Sequence, residues 1–504
     1  MCSVANPDFA LLLKRSKGFL TEKDELFHYL MGQLGIPENN GKDIWSKINA
    51  KVSSRQCGHI TFITIQLKAG RGHQPDDPIY LSFPILQQLL PRALSVTFVL
   101  NSKTNVINEL WLCGNRKFFS DDGRNGNEED EDTSDTLAGM LEKHPDASVF
   151  STVKLNGKQF IFSFYKLEDG TIILIFGSKN LHFPIIFDPE KQKEMIAEME
   201  RVQQDKNLSL QIQMFKVFLE KFNSLDKPEN LIEFCCQGNS FICEYLDSKH
   251  FVVQPDGRLS FEVFACVENR LGFKQMNGKE ALETAQTLGL ATTIFHEIKS
   301  EDFLPFLASV RFCPKTEGQV SYFISEDGLA TAFKIKSFVY AWKRILREIL
   351  KKQNELHDKQ TCNKIMKEFG DKIKNTFVVE EYKSFYFKLF VAFVEWIYEK
   401  GTIPSVEFGW TEEARGFGQI WKEFIEETNT CDDFRRFLSI DELNGLYAKQ
   451  NKLEEDRKKD IHQRHEASKS AKARNANPVA QAKKSPKKQE KSCASEKASA
   501  GGCD

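Results

Sequence analysis

Residues Ser148–Asn180 read SVFSTVKLNGKQFIFSFYKLEDGTIILIFGSKN, a stretch that carries its own punctuation. An apolar, strand-like segment ends at Lys154, and Asn156-Gly157 supplies a tight turn. A second strand pair follows, QFIFSFYKL and GTIILIFG, parted by the turn residues Asp169-Gly170.

The same signals extend outward on both sides. From Leu94 to Leu350 strands dominate: ALSVTFVL, NELWLC, HFVVQ, LSFEVFACV and QVSYFI, with further turns at Pro255-Asp256-Gly257 and Glu326-Asp327-Gly328. A helical segment over Glu190–Leu225 interrupts them. The first ~85 residues mix a helical-looking start with alternating HITFITIQL (His59–Leu67). After about Ser337 the pattern changes to apolar residues at three-and-four spacing, as in FVYAWKRILREILKKQNE and EEYKSFYFKLFVAFVEWIYEKG. The expected organisation is an N-terminal region (1–85), an α+β domain of antiparallel sheets with helices (86–338), an all-helical C-terminal domain (339–450) and a basic tail (451–504).

Composition sets the limits. At 504 residues the chain exceeds what one hydrophobic core usually serves, and 41% hydrophobic with 28% charged residues excludes disorder throughout. Phe is in excess, 42 copies against 10 Tyr and 6 Trp. No run approaches the roughly 18 apolar residues of a membrane span, and MCSVANPDFALLLKRSKG is no secretory signal. The 12 Cys therefore read as reduced thiols of the cytosol or nucleus, with no zinc-ligand spacing among them. A net charge of −2 hides a polarised layout. Residues 121–135, DDGRNGNEEDEDTSD, form an acidic loop, whereas Arg457–Asp504 holds thirteen Lys/Arg against five Asp/Glu. That tail has almost no large apolar residues and is expected to be disordered. It suits phosphate backbones, nuclear import through Lys483–Lys488, or solubility alone.

Four short motifs stand in order: Lys154-Leu155-Asn156-Gly157, Glu244 after the aromatic run Phe241-Ile242-Cys243, Glu317-Gly318-Gln319-Val320, and Lys334-Ile335-Lys336. A lysine nucleophile needs its amine deprotonated, which nearby cations favour. Lys334 and Lys336 supply such charges and suit a phosphate. Glu317 offers a carboxylate for Mg²⁺, and Glu244 an acceptor for a ribose hydroxyl.

Together these motifs resemble the covalent nucleotidyltransferases, the superfamily of polynucleotide ligases and mRNA capping enzymes. Its signature runs KxDG or KxNG, a glutamate after an aromatic-containing strand, EGxV, then KxK one hairpin later. The resemblance covers roughly Leu90 to Phe338 and implies a ligase-type nucleotidyltransferase domain. It also implies lysyl-AMP at Lys154, transfer of AMP to a 5′-phosphate, and sealing by a 3′-hydroxyl, with ATP and Mg²⁺ (or Mn²⁺) as cofactors.

Upstream, Arg92 and Asn115-Arg116-Lys117-Phe118-Phe119 look like the Arg and KFF elements of phage-type RNA ligases and fungal tRNA ligase. The resemblance implies that Arg92 and Lys117 touch nucleotide phosphates, that Phe119 packs near the site, and that Lys179 is a further site lysine. Arg-Ala stands here where that branch has Arg-Gly. Asn156 and the helices beyond Lys336, in place of an OB barrel, point to RNA. The implied protein is a monomeric ATP-dependent RNA ligase acting on 5′-phosphate and 3′-hydroxyl RNA ends. A capping-type guanylyltransferase using GTP is one alternative. A catalytically inactive RNA-binding protein is the other, with Phe-rich strands and the basic tail as its surface. Two apparent motifs fail. Gly272–Glu280 has one residue too many for a phosphate loop and Glu where Ser/Thr must stand, and His59-Ile60-Thr61 has no second copy.

Overall fold

The computed structural model describes residues 3–4, 46–70, 76–83, 86–120, 148–202, 208–247, 252–253, 260–270, 272, 274–299, 302–324, 330–355, 358–377, 379–405, 415–450, 452–453, 456 and 463. The acidic stretch 121–135 and almost all of the basic tail lie outside them. Met1–Asn444 forms one compact unit, which holds every sheet and the candidate site, and Gly445–Asp504 forms a second. No helix among the described residues is long and apolar enough to cross a membrane.

Among the described residues the architecture is α+β, built on three five-stranded sheets. The first holds β1 (Ser3–Val4), β2 (Ile48–Cys57), β3 (Ile60–Ala69), β4 (Leu94–Asn101) and β5 (Val106–Leu112), ordered β1-β5-β4-β3-β2 and antiparallel throughout. After β6 (Phe119–Ser120) and β7 (Ser148–Lys154) come β8 (Lys158–Lys166), β9 (Ile172–Ser178), β10 (Leu181–Ile186), β11 (Asn239–Leu246) and β12 (Ser260–Glu268). These last five make the second sheet, ordered β10-β9-β8-β11-β12. The third joins β6 and β7 to β13 (Phe295–Ile298), β14 (Gly318–Ile324) and β15 (Ala330–Lys336), in the order β13-β7-β14-β15-β6. Its pairs are antiparallel except β15 with β6.

The second sheet is covered on both faces, and β8 shows how the sequence achieves this. Phe160, Phe162 and Phe164 share a core with Phe215, Phe218 and Phe222 of the helix Ser209–Asn223. From the opposite face, Ile161 and Tyr165 share a second core with Phe62, Phe98 and Leu112 of the first sheet. A strand apolar on both faces is what a buried middle layer requires. Here the phenylalanine excess is used. Phe160 stacks on Phe261 at 4.5 Å between centroids and Phe176 on Phe215 at 4.8 Å, each ring burying area worth about 1.5–3 kcal/mol.

Within Glu190–Leu225 the described helices are Gln192–Val202 and Ser209–Asn223. One expectation needs correction. Of HFVVQ, the described Val252 and Val253 are bends rather than strand, and Val252 turns its N–H to Asn156 Oδ1 at 2.8 Å instead of to a ladder.

Beyond β15, Ser337 caps the helix Phe338–Lys351, its hydroxyl accepting from Tyr340 N. The helices Lys359–Thr376, Glu380–Lys400 and Phe417–Thr428 come next. Their apolar stripes meet in an aromatic core. Trp342 contacts Tyr386 at 5.0 Å, Phe377 stacks on Tyr386 at 4.4 Å, and Phe312 stacks on Tyr382 at 4.2 Å. The Phe312–Tyr382 pair fastens the helical region to the segment that leads into β14.

Candidate active site

Three of the four motifs are the ends of three neighbouring strands. Lys154, the last residue of β7, lies opposite Gly318, the first of β14, and Gly318 lies opposite Lys336, the last of β15. Two residues further in, Thr152, Val320 and Lys334 form the next rung. Side chains along a strand alternate and directly paired residues share a face, so Lys154, Lys334 and Lys336 stand on the same face of the third sheet.

Glu317 sits at the entry to β14 with its carboxylate almost fully buried. Its Oε1 lies 2.8 Å from Lys154 Nζ, and its Oε2 accepts from Asn156 Nδ2 at 3.0 Å. The same Asn156 amide nitrogen lies 3.4 Å from Tyr340 Oη, so the first turn of the C-terminal helices reaches the site. Two glycines are sterically required. A Cβ on Gly157 would stand 2.2 Å from Tyr245 O, and Gly157 N donates to Glu244 Oε1 at 2.9 Å. At Gly318 φ is +144°, and a Cβ would stand 1.8 Å from Ile335 O.

A second group of cations gathers beside this one. Lys117 Nζ lies 2.8 Å from Asp76 Oδ1, Lys179 Nζ 3.2 Å from Asp76 Oδ2, and Arg92 Nε 3.6 Å from the same oxygen. Arg92 precedes β4, Lys117 follows β5 and Lys179 joins β9 to β10. The residue after Arg92 is Ala93, held at φ +64°, a conformation that favours glycine. Ala93 thus gives the turn after Arg92 a glycine-like backbone. Phe119 pairs in parallel through its main chain with Phe333, beside Lys334.

Electrostatics ties the two groups together. Burial, then Lys117, Lys336, Arg92 and Lys154, bring the Lys334 amine down to about 7. Burial and Arg92 bring Lys179 down to about 8, against the pull of Asp76. Burial also raises Asp76, yet Arg92, Lys117 and Lys179 together hold its carboxyl well below the usual range. Burial pushes Glu244 up to about 7; Lys154 opposes that rise and Glu317 adds to it. Arg92, Lys117, Lys154, Lys179, Glu244, Glu317, Lys334 and Lys336 thus fall into one electrostatic neighbourhood, although their sequence positions span Arg92 to Lys336.

No group of three or more His, Cys, Asp and Glu among the described residues could hold a metal ion by itself. A single carboxylate such as Glu317 fits the other mode, in which Mg²⁺ takes one or two protein oxygens and the rest from substrate phosphates and water. Sequence reading missed Asp76, Asn156 as the donor to Glu317, and Tyr340. Nothing marks Asp76 in sequence beyond its place before Asp77-Pro78 at a helix start. Its partners become visible only in three dimensions.

No family model matches the chain, and no curated protein matches it in sequence. Among solved structures it is similar to an archaeal ATP-dependent RNA ligase, with a TM-score of 0.40 and 13% identity over 81% of this chain and 92% of that one. A Naegleria gruberi RNA ligase variant without ligand matches with a TM-score of 0.26 and 11% identity, covering 60% of this chain and 98% of that one. A variant of the same ligase with ATP and Mn gives 0.26 and 11%, covering 58% and 97%.

Proposed function

We propose that the protein is an ATP-dependent RNA ligase that joins 5′-phosphate and 3′-hydroxyl RNA ends through lysyl-AMP and RNA-adenylate. The observation that supports this reading best is the rung Lys154–Gly318–Lys336, with Lys334 one rung further in on the same face and Glu317 2.8 Å from Lys154 Nζ.

In this reading the Lys154 amine, once its ammonium has given up a proton and parted from Glu317, forms a bond from Nζ to the α-phosphorus. The bond to the bridging oxygen of the leaving pyrophosphate breaks. Lys334 and Lys336 stabilise charge on the phosphate oxygens, and Arg92, Lys117 and Lys179 hold the outer phosphates. Glu244, ionised above about pH 7, accepts from a ribose hydroxyl. Glu317 would hold Mg²⁺, which supplies neutralisation of phosphate charge when bound. In the second step a 5′-phosphate oxygen of RNA attacks the same phosphorus and the P–N bond breaks. In the third, the 3′-oxygen attacks the RNA 5′-phosphorus and AMP leaves.

The test is incubation with ATP or GTP labelled at the α-phosphate, with Mg²⁺, followed by denaturing electrophoresis. Label retained from ATP is the expected result. Label from GTP alone would point to capping-type guanylyl transfer. Label from neither would leave an RNA-binding protein.

A further inference from the structure

Asp76 takes no part in the transfer steps, yet it is the point on which three of the phosphate-facing cations converge. Lys117, Lys179 and Arg92 come from three separate connections and meet one carboxylate at 2.8, 3.2 and 3.6 Å. The Lys117 side chain is 2% exposed, so this is a built contact and not a solvated surface pair. Among the described residues three cations meet at this one carboxylate, with Lys334 close enough to feel both Lys117 and Arg92. One donor is also unspent. Arg92 Nε is buried without a hydrogen-bond partner, its separation from Asp76 Oδ2 being too long for one. A carboxylate and a phosphate group are read by the same donors, so the arrangement suits an anion with more oxygens and more charge than Asp76 provides.

We propose that the Asp76 carboxylate holds, in the free protein, the place of a phosphate group, and that the polyphosphate of the incoming nucleotide must displace it. The proposal rests on the reading that Arg92, Lys117 and Lys179 face nucleotide phosphates. Asp76 then has two effects. It keeps the three cations assembled when no ligand is present, and it competes with the ligand for them. A phosphate that arrived with Asp76 still in place would meet a like charge within a few ångströms. Swinging the carboxylate away frees the donors and the Arg92 Nε together.

The experiment measures binding of inorganic tripolyphosphate to the full chain by calorimetry, for wild type, Asp76→Asn and Asp76→Glu, with melting temperatures recorded alongside. Asp76→Asn keeps the shape and a hydrogen-bonding oxygen but removes the charge, and should tighten binding about tenfold. Asp76→Glu keeps the charge, and should bind no more tightly than wild type. Equal or weaker binding by a folded Asp76→Asn would overturn this proposal alone, showing that Asp76 only organises the site. No binding by wild type or Asp76→Asn would remove the phosphate reading with it. Should Asp76→Asn prove unfolded, Asp76→Ser takes its place with the same two outcomes.

Discussion

Asn156 Nδ2 donates to Glu317 Oε2 at 3.0 Å while Asn156 Oδ1 accepts from Val252 N at 2.8 Å. An amide at this position thus satisfies a carboxylate on one side and a backbone N–H on the other. An aspartate could do the second and, when ionised, not the first.

Asn156→Asp should therefore create a carboxylate pair with Glu317 in which one proton is retained above the usual range. The sign follows: a raised carboxyl pKa in the folded state means lost stability as pH rises through that window. Thermal melts at pH 5 and pH 8 should show the variant close to wild type at the lower pH and destabilised at the higher. The expected difference is about 1.4 kcal/mol for each tenfold gain in the proton affinity of the pair. An equal effect at both values would mean that the Asn156–Glu317 contact does not govern the change.

Lys154→Ala and Lys154→Arg separate chemistry from structure. Lys154 is the strand-end partner of Glu317, so the arginine variant can keep the ion pair while its guanidinium stays protonated and cannot attack. Both should lose covalent nucleotide transfer by at least about a thousandfold. Label retained by either under denaturing conditions would assign the nucleophile elsewhere.

Gly318→Ala tests the geometry that places Glu317. The new Cβ would meet Ile335 O at 1.8 Å and hold φ at +144°, so β14 and β15 must separate at their site end. A loss of at least about 2 kcal/mol is expected, read as a fall in the midpoint of denaturant unfolding. Unchanged stability would show that this rung can relax without cost.

The strands near the site were legible in the sequence because they are bounded by turn residues and carry long apolar runs. The region from Ser148 to Ser178 reads as three strands parted by two turns, and folds so. The strand β10, LHFPII, was missed because Pro184 argues against a paired strand; it lies at the sheet edge, where a missing N–H costs little. At the site, residues carrying motif chemistry could be named from their order. Asp76 could not, because a carboxylate that binds three cations from distant connections has no local pattern.

Nucleotide binding should also be coupled to proton uptake. Burial and the cations Lys117, Lys336, Arg92 and Lys154 bring Lys334 down from 10.5 to about 7, so above pH 7 its amine is largely neutral in the free protein. A polyphosphate placed beside it favours the ammonium, and binding above pH 7 should therefore draw a proton onto Lys334. The unfolded state binds that proton up to about 10.5, so the group costs stability fully below pH 7, and the cost fades as pH rises from about 7 to 10.5. Lys179, brought down to about 8, should contribute a smaller uptake in the same direction. Calorimetric titration with ATP at pH 8.5 in two buffers of different ionisation heat measures the number of protons directly. Wild type should take up about one proton more than Lys334→Met, and the gap should close toward pH 6, where Lys334 is already charged. Equal uptake by the two proteins at pH 8.5 would place Lys334 away from the bound phosphates.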